Sequence, residues 1–181
     1  AYEALAGADQ EEPLDADDLE LLATSAYMLG REDEQMQILE RASQRHADSN
    51  NRRRASRCAF WIGIQLALRG DMGPASGWLG RAHRLLEGEG ECAEQGYLLM
   101  PVAFQHEAEG DYEGAAATAA AAAELGERFG DRDGFALALN SQGEFLLKGG
   151  KVREGLSLLD ESMVVAMEGS LSPIVTGIIN C

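Results

Sequence analysis

The sequence repeats at intervals of 40 residues. A glycine follows a segment with apolar residues at helical spacing at each of positions 30, 70, 110 and 150. Small residues stand seven positions before each glycine and twelve positions after it: Ala23, Gly63, Ala103 and Gly143 before, Ala42, Ala82, Ala122 and Ser162 after. A glycine ends a helix without steric cost at positive φ, and small residues let two helices approach closely. The period therefore predicts an all-α chain of helical hairpins, each joined at its glycine.

Four such hairpins account for most of the chain, and we expect a right-handed superhelix in one helical-repeat domain over residues 1–181. The first helices are predicted at 16–29, 55–69, 95–109 and 134–148, and the second at 33–46, 73–87, 112–128 and 152–167. The repeats then span 14–51, 52–92, 93–132 and 133–170. Ser172 and Pro173 predict the start of a further, truncated helix over 171–181, because a capping serine before a proline is typical of a helix start. Ala1 to Ala6 are predicted to end an earlier helix. We expect the chain to be a fragment of a longer protein.

The charge balance argues against several kinds of partner. Lys and Arg number 15 against 31 Asp and Glu, so the net charge is −16. Such a chain repels phosphates and anionic membrane surfaces, and no apolar stretch reaches the ~20 residues of a membrane span. We therefore expect no direct nucleic-acid contact by this segment and no membrane partner. The basic cluster of Arg52, Arg53, Arg54 and Arg57 is either a solvated helix start or a site facing acidic residues or an anionic ligand.

No catalytic or metal-binding pattern is evident. The three cysteines are widely spaced and none is near a paired histidine: Cys58, Cys92 and Cys181. The three histidines lie on different predicted helices: His46, His83 and His106. Gly149-Gly150-Lys151 lacks the other residues of a phosphate-binding loop, so a helix-ending turn is the better interpretation. We expect no enzyme activity, no metal and no cofactor. The widely spaced cysteines and the lack of a secretory signal favour reduced thiols and a cytoplasmic location.

The aligned columns resemble the tetratricopeptide repeat, with its small residue in the first helix, its turn glycine and its small residues in the second helix. Local segments resemble the helical-repeat region of LuxR-type bacterial transcriptional regulators over essentially the whole chain: 57–63, 77–82, 96–101, 158–163 and 171–177. This resemblance implies a longer protein with a C-terminal helix-turn-helix module, sometimes with an N-terminal nucleotide-binding domain.

The tetratricopeptide resemblance also implies a groove, lined 13, 10, 6 and 3 positions before each turn glycine. The candidate partner-binding residues at these positions are Tyr27, Arg57, Phe60, Ile64, Tyr97, Met100, Phe104, Glu107, Asn140 and Glu144. Either this strip binds a partner, with Phe60, Tyr97 and Phe104 at its centre, or longer helices and further repeats bury it. The implied function is a protein–protein interaction or effector-sensing module of a LuxR-type regulator. The alternative is a free-standing scaffold that binds a peptide or protein; a small effector and a homo-oligomer stay open as partners.

Overall fold

Helices are the only regular elements of residues 1–180, which the structure, a computed structural model, describes. Cys181, the end of the predicted last helix, lies outside the described residues. The chain divides into two compact units, the first over Ala1–Gly88 and the second beginning at Glu89. The first unit contains α1 (Tyr2–Glu11), α2 (Ala16–Met28), α3 (Glu32–Asp48), α4 (Arg52–Leu68) and α5 (Met72–Leu86). The second contains α6 (Ala93–Ala108), α7 (Tyr112–Phe129), α8 (Arg132–Lys148), α9 (Val152–Met167) and α10 (Pro173–Asn180). The prediction of a single domain stays a prediction.

The four predicted hairpins are confirmed as α2–α3, α4–α5, α6–α7 and α8–α9. Their turn glycines, Gly30, Gly70, Gly110 and Gly150, have φ values of 70°, 86°, 80° and 84°. This left-handed backbone is the conformation that selects glycine at the end of a helix. The hairpin helices begin and end within three residues of the predicted positions, and α10 begins at the predicted Pro173.

Three first helices, α4, α6 and α8, start earlier than predicted, and an Asn or Asp caps two of them. Asn51 accepts a hydrogen bond from the backbone N–H of Arg54 at 3.4 Å, so α4 begins at Arg52. Asp131 accepts one from the backbone N–H of Gly134 at 3.0 Å, so α8 begins at Arg132. Each cap satisfies one of the backbone donors that the first turn of a helix leaves unpaired.

The small residues lie where the helices of a hairpin come together. A Cβ built on Gly63 would lie 2.8 Å from Cγ of Leu79, and one built on Gly143 would lie 2.9 Å from Cγ of Leu159. Both leucines stand nine positions after their turn glycine, so the leucine of the second helix fills the space that a side chain on the first would need. The same packing buries all four small residues twelve positions after the turns.

Each unit has its own apolar core. Leucines and isoleucines of α2, α3 and α4 form the core of the first unit, with Leu19, Leu22, Ile38, Leu39 and Ile62 at its centre. In the second unit the alanines of α7 pack against Ala103 and the fully buried Phe145. Along the part of the chain that the structure describes, none of the helices is both long enough and apolar enough to span a membrane.

Candidate functional site

The structure separates the ten predicted groove residues by burial. Tyr27, Arg57 and Ile64 of the first unit are half-buried. Phe60 is 2% exposed, and its ring packs edge-on against Trp61 with the centroids 5.3 Å apart. A side chain so fully covered offers a partner almost no surface, so Phe60 belongs to the part of the predicted strip that is buried.

Three of the predicted groove residues in the second unit are buried too. Tyr97 and Met100 are each 2% exposed, and Asn140 is buried as well. The hydroxyl of Tyr97 donates a hydrogen bond to Oδ1 of Asp131 at 3.2 Å, beside the first turn of α8. Because α8 packs against α6, Tyr97, which stands thirteen positions before the turn glycine Gly110, contacts the next repeat instead of solvent.

Phe104 is the most exposed of the four aromatic residues predicted for the groove. Its side chain is 41% exposed. The covered part of its ring meets Phe145 of α8 edge to face, with the centroids 5.7 Å apart and the planes at 81°. Phe145 is completely buried, so Phe104 rests on a fixed support while part of its ring faces solvent. We refer to the region formed by Phe104, Glu107, Glu144 and Lys148 as the α6–α8 surface.

Two glutamates and one lysine set the charge of the α6–α8 surface. Nζ of Lys148 donates to Oε1 of Glu107. This hydrogen bond raises the pKa of Lys148, and the charges of Glu107 and Glu144 act in the same direction. Glu144 accepts a hydrogen bond from Nδ2 of Asn140 at 3.0 Å, and Oδ1 of Asn140 accepts one from Ser162 of α9 at 3.3 Å. The surface therefore carries an excess of negative charge around an exposed aromatic ring.

The groove positions inferred from a single helix omitted Phe145 and Lys148. Both contacts that these residues make across α6 and α8 join positions 41 apart, which is one repeat plus one residue. The repeat period therefore contains the signal that could have found them, since Phe145 and Lys148 each stand one position after the residue equivalent to Phe104 or Glu107 in the next repeat.

No protein-family model and no curated protein matches this sequence. Among solved structures, BtubC (BKLC) from P. vanneervenii is similar with a TM-score of 0.55 and 16% identity, covering 92% of this chain and 71% of that one. A putative kinesin light chain from Podosopora anserina, with nearly identical TPR-like repeats, is similar in two crystal structures. One of them, of a single-residue variant, gives a TM-score of 0.51 and 11% identity, over 93% of this chain and 84% of that one. The other gives 0.50 and 13%, over 93% and 87%. At such identities the likeness concerns the fold alone, and the chain has a tetratricopeptide-like, all-α helical-repeat fold.

Proposed function

We propose that the chain is a non-catalytic protein-interaction module. On this proposal, the α6–α8 surface binds a peptide segment that carries an apolar side chain next to Lys or Arg. Phe104 is the observation that supports this proposal, because it is a large aromatic side chain left partly exposed beside a buried one of the same kind.

The buried Phe145 beneath Phe104 favours binding because it lowers the entropic cost of ordering the Phe104 ring at an interface. Association costs entropy for every side chain that becomes ordered at the interface. Phe145 and its neighbours already hold the Phe104 ring, so little of this cost falls on the module. Aromatic residues near the centre of an interface contribute a disproportionate share of the binding free energy.

The surrounding charge favours a basic partner. Glu107 and Glu144 outnumber Lys148 on the α6–α8 surface, and the whole chain has a net charge of −16. Complementary charge acts mainly on the association rate and on the choice of partner, and salt weakens it. Binding should therefore be fastest at low ionic strength.

A peptide library displayed on phage, selected on the purified chain, tests the proposal by letting the chain choose its own ligands. Enriched peptides should share an apolar residue flanked by Lys or Arg. In fluorescence anisotropy, Phe104→Ala should weaken their binding about 30-fold, the effect of losing a hot-spot side chain. Phe129→Ala is the matched control, because Phe129 of α7 is also 41% exposed. Equal effects of both variants, or enrichment of acidic peptides, would contradict the proposal.

We further propose that the module belongs to a LuxR-type regulator of transcription in a bacterial cytoplasm. The support is the sequence resemblance at 57–63, 77–82, 96–101, 158–163 and 171–177. Sequencing the gene downstream of Cys181 tests it. A helix-turn-helix with a basic second helix supports the regulator, and its absence supports the free-standing scaffold instead.

A further inference from the structure

Three chemically distinct side chains meet inside the first unit. Glu20 comes from α2, His46 from α3 and Cys58 from α4. One potential metal-ligand atom of each lies within 4.8 Å of the other two. His46 and Cys58 are each 2% exposed, while the side chain of Glu20 is 21% exposed. The three atoms therefore converge on one small volume that is closed on most sides.

The carboxylate of Glu20 is the centre of this arrangement. Nε2 of His46 lies 2.6 Å from its Oε1. Burial raises the pKa of the Cys58 thiol, and Glu20 raises it further by its charge and as hydrogen-bond acceptor. Arg54 donates from Nε to Oε1 at 3.1 Å and from Nη2 to Oε2 at 2.9 Å. Both buried side chains thus direct their ligand atoms toward the same carboxylate.

We propose that Glu20, His46 and Cys58 form a binding site for a zinc-like divalent metal ion, with a fourth position left for water. Thiolate sulfur, imidazole nitrogen and carboxylate oxygen are the donors that Zn²⁺ takes in proteins, whereas Mg²⁺ and Ca²⁺ prefer oxygen alone. Three protein ligands with an open position is a known form of zinc site.

The geometry requires only small movements. Bond lengths of about 2.0–2.1 Å to nitrogen or oxygen and about 2.3 Å to sulfur place tetrahedral donors roughly 3.3–3.6 Å apart. The His46–Glu20 pair must open by less than about 1 Å from its 2.6 Å separation to admit the ion. His46 and Cys58 lie on helices whose packing in the core restricts their positions, which favours a defined site.

The neighbouring charges suit a dication. Binding of the ion displaces the proton of the Cys58 thiol to solvent, and the resulting thiolate and the Glu20 carboxylate supply two negative charges. Arg54 opposes it, but its Nη2 also lies 3.9 Å from Oδ1 of Asp17. The hydrogen bond from Nη2 to Oε2 of Glu20 can remain, whereas the bond from Nε to Oε1 must break for Oε1 to bind the metal. A ligating carboxylate held by such an outer partner is the usual arrangement in metal sites. The bound ion would link α2, α3 and α4 and so stabilise the first unit.

Cobalt(II) titration of the purified, chelator-treated chain tests the site. Thiolate ligation of Co²⁺ produces a charge-transfer band in the near ultraviolet, and tetrahedral coordination produces visible d–d bands. We expect saturation at one equivalent with a dissociation constant in the micromolar range or tighter, and loss of the bands when Zn²⁺ is added. Zn²⁺ should also raise the melting temperature, because it binds the folded state.

Matched variants assign the ligands. Cys58→Ser should remove the charge-transfer band, and His46→Gln should weaken metal binding at least tenfold. Cys92→Ser and Cys181→Ser control for the other cysteines, and His83→Gln for an exposed histidine; all three should bind as the unaltered chain does. Circular dichroism establishes that each variant is helical. A purely hydrogen-bonded cluster would give no thiolate band in the unaltered chain, which overturns the proposal whatever the variants do. A band that survives Cys58→Ser also overturns it.

Discussion

The backbones of Gly143 on α8 and Gly155 on α9 are in direct contact. A Cβ built on Gly143 would lie 2.9 Å from the carbonyl oxygen of Gly155, and one built on Gly155 would lie 2.7 Å from that of Gly143. A carbon atom so close to a backbone oxygen requires the helices to move apart, since no flexible side chain can give way. The fourth hairpin therefore depends on glycine at both positions.

Gly143→Ala should lower the stability of the chain. Overpacking costs about 1–3 kcal/mol, which outweighs the roughly 0.5–1 kcal/mol that alanine contributes over glycine inside a helix. The measurement is the melting temperature followed by circular dichroism. Gly77→Ala is the control, because a Cβ on Gly77 of α5 meets nothing within 4 Å. That variant should melt at the same temperature or higher. Equal melting temperatures for Gly143→Ala and the unaltered chain would show that α8 and α9 separate without cost.

Phe104 and Phe145 should differ sharply in their effects on stability. Phe145→Ala removes a fully buried ring and should cost about 3–5 kcal/mol. Phe104→Ala removes a ring that is 41% exposed and should cost much less, about 1 kcal/mol, mainly for the lost edge-to-face contact. Chemical denaturation of both variants measures the difference. A cost for Phe104→Ala as large as that for Phe145→Ala would mean that Phe104 serves packing instead of binding.

The hairpins were predictable from the sequence because each depends on local chemistry. Gly30 and its three equivalents end helices by their own backbone preference, and the 40-residue spacing marks them before any fold is considered. The candidate site was less predictable. Whether Tyr97 faces solvent depends on where Asp131 places the start of α8, and the sequence of α6 alone does not contain that information.

The Glu20–His46–Cys58 cluster escaped prediction for a related reason. Its members come from three successive helices, separated by 26 and 12 positions, so no short motif contains them. Relative to the turn glycines, Glu20 stands ten residues before Gly30, His46 sixteen residues after Gly30, and Cys58 twelve residues before Gly70. An alignment of neighbouring repeats, combined with the expected packing of each helix on the next, could have placed the three residues together.

Asp9 should make stability depend on acid pH. Arg41 donates two hydrogen bonds to its carboxylate, each 2.7 Å long, and so lowers the pKa of Asp9 in the folded state. Since the folded-state pKa lies below the unfolded value of about 3.9, this contribution is complete above that pH and is lost as the pH falls through the folded pKa. Asp9→Asn should lower the melting temperature at neutral pH. The corresponding loss in the free energy of unfolding is about 1 kcal/mol or less, because the pair is partly exposed.

The pH profile separates this effect from a general loss of packing. The difference in melting temperature between the unaltered chain and Asp9→Asn should shrink as the solution is acidified below pH ~4, where the native carboxylate also takes up its proton. Asp160→Asn, an exposed carboxylate on α9, is the control and should change little at any pH. A difference for Asp9→Asn that stays constant with pH would show that the pair with Arg41 carries no pH-dependent stability.

The isolated chain should not bind duplex DNA. Its net charge of −16 repels phosphates, and non-specific DNA binders depend on free Lys and Arg to neutralise them. The basic cluster at the start of α4 is already engaged: Arg52 donates to the carbonyls of Leu85, Arg84 and Glu87, and Arg54 pairs with Glu20. The pair with Glu20 is the contact expected if the cluster faces acidic residues, whereas the contacts of Arg52 with backbone carbonyls of α5 belong to neither of the two alternatives.

Fluorescence anisotropy with a labelled duplex at near-physiological salt measures this directly. We expect no change in anisotropy at chain concentrations up to about 100 µM, the weak end of ordinary non-specific binding. A Lys-rich peptide on the same duplex is the positive control. Arg52→Ala should not alter the result, because Arg52 holds the carboxyl end of α5 instead of facing solvent as a free cation. Micromolar binding by the unaltered chain that weakens in Arg52→Ala would contradict the prediction and assign the phosphate contact to that cluster.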